Sequence, residues 1–389
     1  MSTVIFLKEE VSLNFSYMDS FLDYLTWERH YPGVDCLVTV RGETVYRYGR
    51  GLADIDTCTP TVPNQLYNIF SASKVITCTA GMQLLERGRI ALTQPLYDIF
   101  PEYRHMQVKT IGGVRPAKAD ITIGDLFTMT AGFSYELNRP SFDHVYAKTN
   151  GQMPLREVVR AMAADPLEFE PGSRWLYSLC HDVLGAVIEE VSGVSFGQYL
   201  KDNIYDPLGM KDTGFARTDD VCSRIAPMYE RVMGTDGAEH IQKTDKLRPA
   251  YVFGSCYESG GAGIVTSVED YIKFMVALCA GGTARDGTRI LSKPAVELMR
   301  TNRLTGQQMT DYGHPGHGYG LGVRVTMNPA EAQELTPQQE FGWGGAAGAH
   351  VLMDPVNQVC MYYSQHMLNC NGEYVHPRLC NLLYGALDL

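Results

Sequence analysis

The chain has 389 residues, 45% of them hydrophobic and 20% charged, which is enough for a substantial core and excludes both a disordered chain and a small stapled scaffold. Lys and Arg number 33 against 44 Asp and Glu, a formal charge of −11 that repels phosphate backbones and anionic lipid and disfavours a nucleic-acid partner. The 10 cysteines are scattered with no Cys-x-x-Cys pair, so neither a zinc ribbon nor a dithiol redox site follows, and free thiols in a reducing cytoplasm are expected.

At the N-terminus Lys8, Glu9 and Glu10 interrupt the apolar run, which speaks against a signal peptide, and no later stretch has the length of a membrane span. Leu37 to Val40 and Thr44 to Tyr48 flank Arg41-Gly42 as two β-branched runs flank a hairpin turn. From Ser71 the period changes to that of a helix, through Val75, Ile76, Cys78, Met82 and Leu85, with Gly88 as its stop. Two further helical stripes follow, Leu155, Val158, Val159 and Met162, then Val183, Leu184, Val187, Ile188 and Val191 ending at Gly193. Polar stretches over 213–246 and 305–318 read as long surface loops. Ser267 with Asp270 forms the pattern of a capping box ahead of Ile272, Met275 and Val276. Strand character returns at 321–325, 350–353 and 359–363, and an apolar helix runs from Leu379 to Leu387.

Strands at both ends with helices between them predict an α+β fold with one antiparallel sheet flanked by helices, built from both chain ends and interrupted by a helical insertion. The expected division is a discontinuous sheet region, 1–75 with 250–389, and a mainly helical region, 76–249, with the site in the cleft between them.

Ser71-Ala72-Ser73-Lys74 lies where the strand-to-helix change occurs, so Ser71 and Lys74 share a face of one helical turn. Ser71 would attack and Lys74 would accept its proton, since burial and the helix dipole both oppose the lysine charge. A serine at a helix start is more commonly a cap, and the pair alone decides nothing. Tyr177, after the Pro171-Gly172 turn, could present its phenol to that serine or simply pack at a helix entry. Gly342-Trp343-Gly344-Gly345-Ala346-Ala347-Gly348 could free N–H groups for an oxyanion or form a glycine-rich hairpin turn.

In this order the three segments resemble the serine β-lactamase and penicillin-binding-protein superfamily, in its class C-like branch. The likeness extends through NIFSASKVIT, ERGRIALTQPLYDIFPEY, ITIGDLFTMTAGF, PGSRWLYSLCHDVLGAVIEEVSG, DPLGMKDTGF, SGGAGIVTSVEDYIKF and YGLGV to Asp354-Pro355. It implies Ser71 as acylated nucleophile, Lys74 as proton acceptor, Tyr177 as catalytic tyrosine, an oxyanion hole from the N–H groups of Ser71 and Ala346, and no cofactor or metal.

Two departures bear on the substrate. Leu179 stands where many members carry an asparagine and cannot bond a substrate amide, and Trp343-Gly344-Gly345 stands where they carry Lys-Thr-Gly, offering an aromatic face and no cation. Tyr177-Ser178-Leu179 with Trp343-Gly344-Gly345 looks more like the carboxylesterases and acyltransferases of the superfamily. The expectation is therefore a hydrolase of small or medium esters. Acyl transfer to an alcohol or amine, weak β-lactamase or D-alanyl carboxypeptidase action, and a non-catalytic binding protein are the alternatives. Trp343, Gly344, Gly345, Leu179 and Tyr257 would contact substrate, with Tyr251 and Tyr319 also bordering the cleft. His181 could lie under Tyr177, and His314 with His317 has ligand-like spacing, yet a structural histidine and no metal are the expected outcomes. A small-molecule ester is the expected partner, with no membrane and no nucleic acid; homo-oligomer formation is left open.

Overall fold

A computed structural model describes residues 13–215, 219–235, 237–245 and 254–387, so Tyr251 lies outside the described residues. The main sheet has eight antiparallel strands in the order His317–Tyr319, Arg324–Thr326, Phe341–Gly344, His350–Asp354, Val359–Ser364, Gly33–Val40, Glu43–Asp54, Thr59–Pro60. Its centre joins the two ends of the chain, with Asp35 opposite Ser364 and Val40 opposite Val359. The fold is α+β.

Side chains alternate along these strands, and each parity feeds a different layer. Cys36, Val38, Leu352, Val359, Met361 and Tyr363 pack with Met18, Leu22 and Leu25 of helix Ser16–Trp27 and with Leu379, Leu383 and Leu387 of helix Gly372–Leu387. Leu37, Val351, Met353, Cys360 and Tyr362 face the other way, into the large core that runs through helix Val268–Cys279 and on to the helices of the middle of the chain. The strands read as nearly unbroken apolar runs because both faces of the sheet are covered.

Helix Ser73–Glu86 crosses that large core and is buried on every side from Ser73 to Leu84, which explains why its apolar residues form no clean stripe. Its polar side chains find partners inside: Thr77 donates to the Ser73 and Gly260 carbonyls, Thr79 to Val75, and the Gln83 amide nitrogen to Asn203 and Ile290, while Gln83 Oε1 has no partner among the described residues. Helices Leu155–Met162 and Cys180–Ser192 form as their spacing predicts, the second ending on Gly193 at φ 82°.

Several expectations are corrected. Residues 321–323 are not strand; pairing begins at Arg324. The last helix begins at Gly372, seven positions before its most apolar stretch, despite Pro377 inside it. The stretch 213–246 contains an antiparallel hairpin, Tyr229–Met233 with Glu239–Lys243, anchored in parallel to Met367–Leu368, and the stretch 305–318 contains helix Gly306–Tyr312. Only half of the expected capping box forms: Ser267 Oγ accepts from the Asp270 N–H, while the Asp270 carboxylate turns to Asp212, Thr213 and Lys273. Cys36, Cys78, Cys180, Cys279, Cys360 and Cys380 are buried and unpaired. Among the described residues no helix is long and apolar enough to cross a membrane.

Met361 sits fully buried on the face covered by the terminal helices. Met361→Ala removes that contact between sheet and helices, and urea denaturation should show a loss of about 2–5 kcal/mol with the m-value unchanged.

Candidate active site

Ser71 lies in a 3-10 turn, Phe70–Ala72, immediately before helix Ser73–Glu86, and its side chain caps nothing. Phe70 holds φ +47°, a left-handed conformation that costs an aromatic residue about 1–3 kcal/mol. The ring is locked by packing on Met228, Ala347 and Leu368, which ties the turn that carries Ser71 to the glycine-rich segment. That segment is both a hairpin turn and a close backbone approach. The Gly345 N–H donates to Ala349 O at 2.8 Å and the Gly348 N–H to Gly345 O at 2.9 Å, while a Cβ on Gly345 would strike the Ile69 carbonyl. Among the described residues no acceptor meets the N–H of Ser71 or Ala346.

Lys74 is completely buried, and its Nζ makes three hydrogen bonds: to Ser71 Oγ at 3.2 Å, to Tyr135 Oη at 2.9 Å and to the Gly261 carbonyl at 2.7 Å. The carbonyl can only accept, whereas either hydroxyl can reverse its role, so Lys74 can hold or release a proton without losing a contact. Burial lowers the lysine pKa, as anticipated, but the phenolic oxygens of Tyr135 and Tyr177 outweigh it and hold the group above the ordinary lysine range. Burial also pushes the Tyr135 phenol up, against the pull of Lys74.

Tyr135 escaped the sequence reading. It follows helix Ile123–Thr128, whose start is fixed by a capping box between Thr122 and Asp125 and whose end turns through Met129 at φ 60°. The same exit holds the second motif: the Gly172 N–H donates to Thr130 O and the Leu176 N–H to Met129 O. Tyr177 is thus set beside Tyr135, ring centroids 5.4 Å apart, with its ring 4.6 Å from Lys74 Nζ. Trp343 stacks on Tyr177 at 5.7 Å and its indole N–H donates to the Tyr177 hydroxyl at 3.2 Å. Tyr319 meets the Trp343 edge at 5.1 Å from within the core. Arg174 and the Trp175 N–H bind Asp311, which locks helix Gly306–Tyr312 onto this aromatic group.

Other predicted residues fall elsewhere. Leu179 is buried in the core at 1% exposure and offers no surface to a substrate. Tyr257 is also turned inward, its hydroxyl donating to Asp182 Oδ1 at 3.0 Å. Gly344 and Gly345 are half-buried beside Trp343, and Ala346 is exposed. His314 lies tilted against Tyr312, while His317 bonds the Pro315 carbonyl through Nδ1 and faces Glu334, so the two rings serve separate contacts.

The sequence profile of the Beta-lactamase family matches residues 17–379. This chain belongs to that family. It is 32% identical to esterase EstB of Burkholderia gladioli over 358 residues, 87% of this chain and 86% of the relative. It is 25% identical over 333 residues, 78% of each chain, to the monacolin J acid methylbutanoyltransferase of Aspergillus terreus. Among solved structures, EstCE1, described as a hydrolase with promiscuous acyltransferase activity, superposes with a TM-score of 0.77 at 25% identity, covering 95% of this chain and 98% of that one. Simvastatin synthase (LovD) of A. terreus shares the fold at a TM-score of 0.77 and 22% identity, with 95% and 97% covered.

His181 lies four residues beyond Tyr177 but is fully buried against Cys78, its Nε2–H donating to the Phe127 carbonyl at 3.2 Å. Burial, reinforced by Lys74, lowers its pKa to about 3. The native ring therefore refuses the proton that an unfolded histidine accepts near pH 6.5, so its contribution to stability is present above that pH and is lost as pH falls toward 3. The ring carbon and nitrogen NMR shifts of His181 should stay flat between pH 5 and pH 8; a titration inside that window would make it part of the proton chemistry.

Proposed function

We propose that this protein is a serine hydrolase of the carboxylesterase type that cleaves small or medium esters through an acyl-Ser71 intermediate. The observation that carries this reading is the position of Lys74 Nζ, between Ser71 Oγ and Tyr135 Oη, beneath a Tyr177–Trp343 stack that holds a neutral donor and no cation. Ser71 Oγ attacks the ester carbonyl once the set of Lys74, Tyr135 and Tyr177 is one proton short, and that set takes up the hydroxyl proton. The N–H groups of Ser71 and Ala346 receive the oxyanion. Collapse expels the alcohol, which takes the proton back by way of Tyr177, and water repeats the sequence to release the acid.

Acyl transfer is the second reading, supported by the likeness to EstCE1 and to the methylbutanoyltransferase. It differs only in that an alcohol or amine takes the place of water. The division into a sheet region and a helical region with Ser71 in the cleft belongs to the same proposal, since Lys74 draws Tyr135 from one region and Gly261 from the other.

Ser71→Ala should abolish ester hydrolysis while leaving the far-UV spectrum and the melting temperature close to those of the parent; a folded variant with near-normal turnover would remove Ser71 from the mechanism. Tyr135→Phe and Tyr177→Phe should each slow acylation by about 10²–10⁴, and the double variant by much less than the product, because both act on one proton inventory. Because the lysine and the Tyr135 phenol are both raised, the proton-poor state forms on the alkaline side, and kcat/KM should climb with pH above neutrality.

Trp343 allows a second discrimination. An ester without charge, p-nitrophenyl butyrate, should exceed a chromogenic cephalosporin by at least about 10²-fold in kcat/KM, since a missing charged hydrogen bond is worth about 1.5–3 kcal/mol. Equal values would return the protein to the lactamases.

A further inference from the structure

Asp182 is the third residue of helix Cys180–Ser192, and its carboxylate is buried to 1% exposure in a part of the molecule where an unpaired charge is costly. Oδ1 accepts hydrogen bonds from Ser259 Oγ at 2.6 Å and from Tyr257 Oη at 3.0 Å. Oδ2 faces Gly261, whose backbone N–H also pulls on the carboxylate, and a Cβ there would lie 2.5 Å from Oδ2 and 3.3 Å from Tyr135 Oη. The Gly261 carbonyl is the acceptor that Lys74 reaches at 2.7 Å. Ser259 tightens the same turn by accepting from the Ala262 N–H at 2.9 Å. A glycine at 261 is therefore the thin wall between a buried carboxylate and a buried ammonium.

We infer that Asp182 is a positioning residue of the acylation step: it clamps the Ser259–Gly261 turn whose carbonyl fixes Lys74 Nζ, and its charge is the buried counter-ion of that ammonium. The inference rests on the reading of Ser71 as nucleophile. The groups that face the carboxylate are Lys74 from the nucleophile helix, Tyr135 from the loop after Ile123–Thr128, Tyr257 and Ser259 from the turn, and Cys180 on its own helix. His181 points away, toward Phe127. Burial pushes the Asp182 carboxyl up, and Ser259, Lys74 and Tyr257 each pull it back. Lys74 is the one cation in that group, so the electrostatic link runs between these two residues.

The test follows the labelling of Ser71 by a fluorophosphonate against pH, read by intact-protein mass. Asp182→Asn keeps a carbonyl acceptor for Ser259 and Tyr257 but removes the charge. Without the anion the proton-poor state forms more easily, so the acid limb of the labelling profile should move to lower pH by about one unit while the plateau rate falls. Ser259→Ala and Tyr257→Phe keep the charge and loosen the clamp; each should lower the plateau at least about fivefold, with the limb unmoved or shifted to higher pH. A part that served only packing would change melting temperature and leave the limb of Asp182→Asn in place, and that result overturns the inference. Should Asp182→Asn not fold, wild-type plateau rates in both clamp variants would overturn it, and lowered plateaus with no downward limb shift would uphold it. Failure of the parent protein to label at Ser71 would instead sink the underlying assignment of the nucleophile.

Discussion

A lysine amine with no access to water must find all its hydrogen-bonding partners within the protein, and much of the structure around the site follows from that demand at Lys74. Its three partners come from three separate segments, Ser71, Tyr135 and Gly261, and the Asp182 carboxylate lies behind Gly261. None of these is held by local chain alone. Ser71 depends on the strained Phe70 turn, Tyr135 on the capped helix Ile123–Thr128, and Gly261 on the hydroxyl and carboxylate contacts of Ser259. A group that costs several kcal/mol to bury thus becomes the point through which these segments are held in register.

The sheet contributes the second constraint. Pairing of Gly33–Val40 with Val359–Ser364 closes the chain on itself and fixes the strand His350–Asp354, which in turn pairs with Phe341–Gly344. The end of that last strand must then pass close enough to Ile69 that only a glycine fits at 345. This backbone contact, with Phe70 wedged on Ala347, brings the N–H of Ala346 toward the turn that carries Ser71. Distance between the N–H groups of Ser71 and Ala346, the proposed oxyanion donors, is therefore set by sheet pairing more than by either loop.

Much of this was legible in the sequence because the signals were local. The hairpin at Arg41-Gly42, the stripes at Leu155 and Val183, and the spacing of Ser71 and Lys74 each depend on residues a few positions apart. Tyr135 and Asp182 were not legible, because neither belongs to a periodic pattern and each matters only through a contact across more than sixty residues of chain. The same limit applies to Tyr257 and Leu179: both are near the site in sequence motifs, and only the structure shows their side chains turned into the core. Lys74 shows the same limit, since its burial could be anticipated from the motif and a second phenol beside it could not.

The aromatic group explains how a buried cation can serve catalysis without serving as an anchor. Lys74 Nζ lies 4.6 Å from the ring centroid of Tyr177, whose face shares its charge, and meets Tyr135 at the hydroxyl end of its ring, while the Asp182 carboxylate lies behind Gly261. Trp343 covers Tyr177 and spends its own N–H on the Tyr177 hydroxyl. A carboxylate arriving on a substrate would have to displace these neutral contacts and recruit a charge already matched inside the protein, whereas an uncharged ester needs only a carbonyl placed between Ser71 and the two backbone donors. A tryptophan and no cation at 343 thus bears on the whole electrostatic balance of the site, and the proposed preference for uncharged esters rests on that balance.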